Sequence, residues 1–250
     1  MIDFSDNIFI LDNIYQELGF TKKDLIDEAN KVSSFENRVS RVRYLDDNNN
    51  HKWLALDNGD TAEKLDKITK PLSIYVRADY RRDQTTHERH FLEKFQESVD
   101  THVHFQTPEF IKKHKPLSEF ELYMIDLLDL DRREDFCWVL FNWSNPQMCN
   151  WHIDGANTYK VSNITSPTKI TINISLGDTS HVELKKQNGE VVSNESYKNE
   201  LFVLNQFERL HRIVLNEDIR RTSFAFRMRN VSFGDIIGKL IEKNKVVEIL

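Results

Sequence analysis

The sequence predicts an α+β fold: a mainly helical first half over residues 1–134, an all-β unit over 135–230 and a closing helix over 231–250. Three observations predict it. Before residue 135, apolar residues recur at helical spacing behind N-cap pairs. From there to Met228 the chain breaks into short runs rich in Val, Ile, Thr and Phe, punctuated by turn residues. After these runs a single apolar stripe of helical period returns. No internal repeat, low-complexity tract or Pro-rich linker separates the parts, so one domain is expected.

Thr21 and Asp24 form an N-cap pair that opens TKKDLIDEANKV, where Leu25, Ile26 and Val32 are the apolar positions. The polar stretch Asp46 to Asn50 reads as a mobile loop. Thr85 with Glu88 is a capping box ahead of Phe91, Leu92, Phe95 and Val99. Ser118 with Glu121 is expected to cap a third helix, EFELYMIDLLDL. The β-type runs are CWVLFNW, QMCNWHI, KITINISL, HVELKK, EVVSN, ELFVLN, LHRIVL and RTSFAFRM. Eight short strands at close spacing read as a sandwich or barrel. Asn188-Gly189 between two of them is a two-residue hairpin signal. Ser232 and Asp235 open the last helix, whose stripe of Ile236, Ile237, Leu240, Ile241 and Val247 is expected on the outside of the β unit.

Composition narrows the function classes. Sixteen Phe, seven Tyr and four Trp supply enough large apolar area for a folded core. Only seven Gly occur, and neither GxGxxG nor GxxxxGK[ST] is present, so the commonest nucleotide cradles are excluded. A net charge of -6 gives no chain-wide basic footprint for nucleic acid. No apolar run reaches the roughly 18 residues a membrane span needs. MIDFSDNIFILD carries early acids and no basic region, unlike a signal peptide. Cys137 and Cys149 cannot build a disulfide framework, so a reducing, cytoplasmic setting is expected.

The chemistry concentrates around His152-Ile153-Asp154-Gly155. Residues i and i+2 of an extended chain point to one side, so His152 and Asp154 present an imidazole and a carboxylate to the same point. His211, in LHRIVL, offers a third ligand. Two His and one carboxylate with open positions opposite are the donor set of non-haem Fe(II) oxygenases. Ten residues on, Arg221 and Ser223 share a strand face. A guanidinium fork matches a carboxylate, and burying it in a β core calls for an anionic partner such as a dicarboxylic acid.

HIDG, the distal LHRIV and the following RTSFAF together resemble the Fe(II)/2-oxoglutarate-dependent dioxygenase superfamily, in its order His-x-Asp, His, Arg-x-Ser. The resemblance covers roughly Phe136 to Met228. It implies a double-stranded β-helix, or jelly roll, in the C-terminal half, with the helical regions packed around it. It implies Fe(II) on His152, Asp154 and His211, and 2-oxoglutarate chelating that iron with its distal carboxylate on Arg221 and Ser223. It further implies O2 as oxidant, hydroxylation of a C–H bond, and succinate and CO2 as co-products. The family's Asn on the first barrel strand corresponds to Asn142, whereas its Tyr position holds Ser144. Arg220 is the alternative anchor one residue away, and Lys169 or Thr171 would serve if the chain followed the branch that anchors from an earlier strand. Asp154 sets the chain apart from the halogenase variant, in which a small residue vacates that position.

The negative charge favours a small molecule, such as an amino acid derivative, as prime substrate. A protein side chain, a nucleobase or a nucleic acid is the alternative, and a metal-binding jelly roll without turnover is a third. Arg77, Arg81, Arg82 and Arg89 interleave with Tyr75 and Tyr80, a pattern that binds anions or nucleic acid unless Asp79, Asp83 and Glu88 make it a solvated face. His102 and His104 are expected on a plain strand, Cys149 as a small buried hydrophobe, Trp143 and Trp151 in the core or the pocket wall, and RREDF as a charged surface turn.

Overall fold

Two sheets organise the structure, a computed structural model that describes residues 4–35, 37–56, 59–78, 83–105, 111–130, 136–143, 150–154, 170–175, 180–195, 201–215, 221–228 and 231–250. The strands are β1 (Ile8–Leu11), β2 (Asn37–Leu45), β3 (His51–Ala55), β4 (Pro71–Ala78), β5 (Asp100–Phe105), β6 (Phe136–Trp143), β7 (Ile170–Ser175), β8 (Ser180–Lys185), β9 (Val191–Glu195), β10 (Leu201–Leu204), β11 (Leu210–Leu215), β12 (Arg221–Met228) and β13 (Val246–Ile249). Ten of them form one sheet in the order β13-β1-β10-β7-β12-β6-β5-β4-β2-β3, and β11-β8-β9 form a second. The helices are α1 (Ile14–Glu17), α2 (Lys22–Phe35), α3 (Thr86–Phe95), α4 (Lys115–Leu127) and α5 (Phe233–Glu242).

Alternation explains the layering. Val42 of β2, Ile74 and Val76 of β4, Val103 of β5, Trp138 and Leu140 of β6, and Phe224 and Phe226 of β12 share the main apolar cluster with residues of all five helices. The Trp138 ring stacks on Phe224 with centroids 4.5 Å apart and planes 10° from parallel. At the other end of the sheet β1 and β10 are buried on both faces. Phe9 and Val203 join the helical cluster, while Ile8, Ile10, Phe202 and Leu204 pack with Val182 and Leu184 of the three-stranded sheet. The small sheet therefore packs on that end of the large one.

The first half is not helices and irregular connections alone: β1 to β5 all enter the large sheet. In β2 and β4 the face away from the helices carries Arg41, Arg43, Tyr75 and Arg77, which dilute the β-type composition and leave the inward Val and Ile as the strand signal. Asp46 to Asn50 forms the turn between β2 and β3, in which Asp46 Oδ1 accepts from the Asn48 and Asn50 amides at 2.9 Å each. The two early caps form as expected. Thr21 and Asp24 bond reciprocally at 2.7 and 3.2 Å, and Thr85 with Glu88 closes a capping box. The third helix starts earlier than Ser118, at Lys115, because Pro116 suits its first turn.

In the second half, seven of the expected runs form strands, while QMCNWHI contributes, among the described residues, an isolated bridge from His152 to His211. The Asn-Gly hairpin forms with a different turn. The Gly189 amide donates to Lys186 O at 3.0 Å and Lys186 N to Glu190 O at 2.8 Å, and Gly189 alone in the turn has positive φ (+89°). That is a three-residue loop with glycine at the bulge. Val247 leaves the expected helical stripe. Asn244, at φ 55°, ends the helix in the left-handed region, and Val246–Ile249 instead pairs with β1. No helix among the described residues is long and apolar enough to cross a membrane.

Candidate metal centre

His211 stands on β11 beside Ile213, facing the interior between the two sheets, and is 6% exposed. Its backbone pairs with Leu184 on one side and with His152 on the other. The His152 and His211 amides each donate to the other's carbonyl, at 3.0 and 2.9 Å. The Asp154 amide then donates to Gln206 O at 2.8 Å. Gln206 belongs to the turn after β10, where Asn205 Nδ2 donates to Ser5 Oγ (2.9 Å) and Glu208 Oε2 (3.0 Å), and Arg209 pairs with Asp6. The N-terminal segment thus pins the turn that holds Asp154.

These backbone bonds bring three side chains together. The donor atoms of His152, Asp154 and His211 all lie within 4.8 Å of one another. His152 Nε2 is 3.4 Å and His211 Nε2 3.9 Å from Asp154 Oδ1. Each imidazole turns its other nitrogen to a backbone carbonyl two residues earlier: His152 Nδ1 to Asn150 O at 2.7 Å and His211 Nδ1 to Arg209 O at 3.3 Å. Bonds of this kind fix ring and tautomer and leave both Nε2 lone pairs for a metal. The spacing is slightly wider than the roughly 3 Å between cis ligands of one ion with bonds of about 2.1 Å. The donor set fits a non-haem Fe(II) ion.

Arg227 is the residue that sequence reasoning missed. Its Nη2 reaches Asp154 Oδ2 at 3.4 Å, so Oδ1 faces the histidines while Oδ2 faces a cation. The period-2 rule that joined Arg221 to Ser223 extends to position 227 and could have found it. Burial opposes ionisation of the Asp154 carboxyl, but the His152 hydrogen bond and the charges of Arg227 and both histidines hold it well below the usual carboxylate range. Burial pushes His211 down to about 4, with Asp154 opposing. His152 is also depressed by burial, yet its bonds to Asp154 and Asn150 raise it overall.

Arg221 and Ser223 are buried on β12, at 2% and 4% exposure, on the face that carries Arg227. Asn142 is not with them. It pairs in register with Thr222, and its Oδ1 accepts from Thr222 Oγ1 at 2.7 Å on the opposite, helix-covered face. Thr171 is in register with Arg227. Lys169, Arg220, Ser144, Cys149, Tyr80, Arg81 and Arg82 lie outside the described residues, as does RRED. Arg89 stands on α3, exposed in the helix layer, and Trp151 carries Arg212 over its ring at 4.7 Å. His102, expected on a plain strand, is buried near the triad: burial first, then the charges of Arg227 and Arg41, push it down to about 3 while Asp154 opposes.

No family model matches the chain, and no curated protein matches it. Solved structures do. A prolyl-4-hydroxylase from Pseudomonas putida is 15% identical, with 54% of this chain and 73% of that one covered at a TM-score of 0.35. A full-length Neurospora crassa protein in complex with alpha-KG and thymine is 12% identical, covering 69% of each chain at 0.33. The hydroxypropylphosphonic acid epoxidase from S. wedmorenis is 8% identical, with 40% of this chain and 48% of that one covered at 0.26. The chain therefore spans about half the length of the epoxidase. At these TM-scores the likenesses carry no argument, and the geometry of the triad stands by itself.

Proposed function

We propose that the chain is an Fe(II)- and 2-oxoglutarate-dependent oxygenase that hydroxylates a C–H bond, with succinate and CO2 as co-products. The observation that carries this reading is the triad. Two imidazoles have Nδ1 tied to carbonyls and Nε2 directed towards one oxygen of Asp154, whose other oxygen faces Arg227. His152, Asp154 and His211 would hold the iron, and three ligands leave positions open on it. The bound iron with 2-oxoglutarate and O2 supplies the oxidising chemistry.

The chain's own residues bind and orient. Arg221 takes the distal carboxylate of 2-oxoglutarate, with Ser223 beside it on the same face. At 2% exposure the guanidinium lies in a low-dielectric interior, where a carboxylate contact is strengthened. Arg227 fixes which oxygen Asp154 presents. Residues 1–134 supply the β1–β5 strands and helices around this centre, the two sheets form the jelly roll, and the whole acts as one domain. The non-catalytic alternative, a metal-binding jelly roll, keeps the triad but has no use for the anchor.

The test is anaerobic addition of Fe(II) and 2-oxoglutarate to the metal-free protein, followed by O2. A visible charge-transfer band that needs both additions, then succinate release, is expected. Iron binding without any response to 2-oxoglutarate would leave the non-catalytic alternative.

A further inference from the structure

The large sheet has two unlike faces. One is apolar and covered by helices. The other carries rings and cations from β12 outward to the edge strand β3. On it the Arg41 guanidinium sits 4.2 Å from the Tyr75 ring centroid and 5.3 Å from that of Trp53. Arg43 lies 5.9 Å from Trp53. Tyr75 in turn stacks on His102, with centroids 4.5 Å apart and planes 25° from parallel. Arg77, exposed, is on the same face, two residues beyond Tyr75. The residues come from β2, β3, β4 and β5, so they are far apart in sequence and adjacent only through strand pairing.

This ladder leads to the metal centre. The Cα register runs from Arg41 through Tyr75, His102 and Phe141 to Ser223. Ser223 shares its face with Arg227, the cation on Asp154. The charges of Arg227, Arg77 and Arg41 all bear on His104, beside His102. Arg41, Arg43 and Arg77 thus gather on one face, although the chain as a whole carries -6. The outer end is open: Trp53 is 49% exposed on the last strand of the sheet.

We infer that this face is a track for single-stranded nucleic acid, which presents one nucleotide to the metal centre. The inference rests on the oxygenase reading and replaces a small molecule with a polymer as substrate. Three features decide the class. Strands are about 4.8 Å apart, so the track from β12 to β3 runs about 24 Å, longer than an amino acid derivative. Arginines beside the exposed Trp53 ring suit phosphates beside bases, which stack on an aromatic without regard to sequence. A base within a duplex has its ring faces covered by its neighbours, so only an unpaired strand can use the rings. The phosphates fall to Arg41, Arg43 and Arg77 and a base to the exposed Trp53, while Tyr75, between Arg41 and His102, backs the track.

Fluorescence anisotropy with a labelled oligothymidylate of about 12 nucleotides tests this on the full chain. Binding should fall steeply with salt. Trp53→Ala should weaken it about tenfold, with Trp53→Phe restoring most of the loss. Arg41→Ala with Arg43→Ala should flatten the slope of log K against log salt by about 0.7 for each arginine. If that double variant does not fold, Arg77→Ala, at an exposed position, carries the same slope test. Lys23→Ala, on α2 in the helix layer, should leave binding unchanged. The inference is overturned if the oligomer does not bind, if Lys23→Ala matters as much as the track variants, or if a duplex or thymidine monophosphate is held as tightly. Uncoupled 2-oxoglutarate consumption by the wild-type protein, read in parallel without oligomer, reports on the oxygenase reading separately.

Discussion

His152 and His211 are joined backbone to backbone, each amide donating to the other's carbonyl at 3.0 and 2.9 Å. The rings they carry lie 4.3 Å apart. Two ligands from distant parts of the chain are therefore set by main-chain geometry before any metal arrives. Such preorganisation means that a single ligand can be removed without collapse of the site.

Asp154→Ala should consequently leave the far-UV circular dichroism of the protein unchanged while abolishing succinate release and weakening Fe(II) binding. Full iron affinity and turnover in that variant would remove the triad from the mechanism.

Arg227→Ala should weaken Fe(II) binding by about 10- to 100-fold, the usual effect of removing a group that orients a ligand. Titration of the metal-free protein with Co(II), followed by visible absorbance, measures it. Arg227→Lys should recover part of the loss, because a cation near Oδ2 is retained; equal loss in both would show that the contact is not electrostatic.

Arg221→Ala should raise the KM for 2-oxoglutarate with little change in Fe(II) affinity. A buried charge-assisted pair costs about 2–5 kcal/mol to break, which is a rise of roughly 30-fold or more. Arg220→Ala should be much milder. A reversal of the two effects would shift the anchor by one residue.

His102 predicts a pH dependence of stability in the metal-free protein. Its folded value is pushed from 6.5 down to about 3, so below 6.5 the unfolded chain takes up a proton that the folded chain refuses. Stability is therefore full above pH 6.5 and declines as the pH falls towards 3, by up to about 5 kcal/mol from this residue. His211, pushed down to about 4, acts in the same direction. Urea midpoints measured between these limits should fall with acid, and His102→Gln should flatten the curve. An unchanged slope would mean that His102 is solvated in solution.

Much of the centre was legible because it depends on local rules. His152 and Asp154 are two residues apart, and period 2 suffices to set them on one side. The same rule tied Arg221 to Ser223. What could not be read depends on pairing between distant strands. Trp53, Arg41, Tyr75 and His102 belong to four strands, and nothing in any one of them announces the others. β4 and β5 are parallel, a pairing that no hairpin signal marks. The strands within residues 1–134 went unread because one such as Asn37–Leu45 shows one cationic face, which resembles a loop more than a sheet. Val247 was misplaced for a local reason: the left-handed Asn244, a common helix terminator, was read as part of the helix.

The position of β1 has a bearing on how the chain is made. Ile8 pairs with Leu204, and β1 and β2, neighbours in sequence, lie towards opposite ends of the large sheet. On a ribosome, β2 to β5 can assemble among themselves soon after they emerge. β1 must wait for β10, nearly 200 residues further on, with apolar residues on both of its sides. A contact so distant in sequence slows folding and leaves an adhesive segment uncovered during synthesis. His211 emerges only after that partner strand, so capture of a metal ion by the nascent chain would mark the closing stage of its assembly.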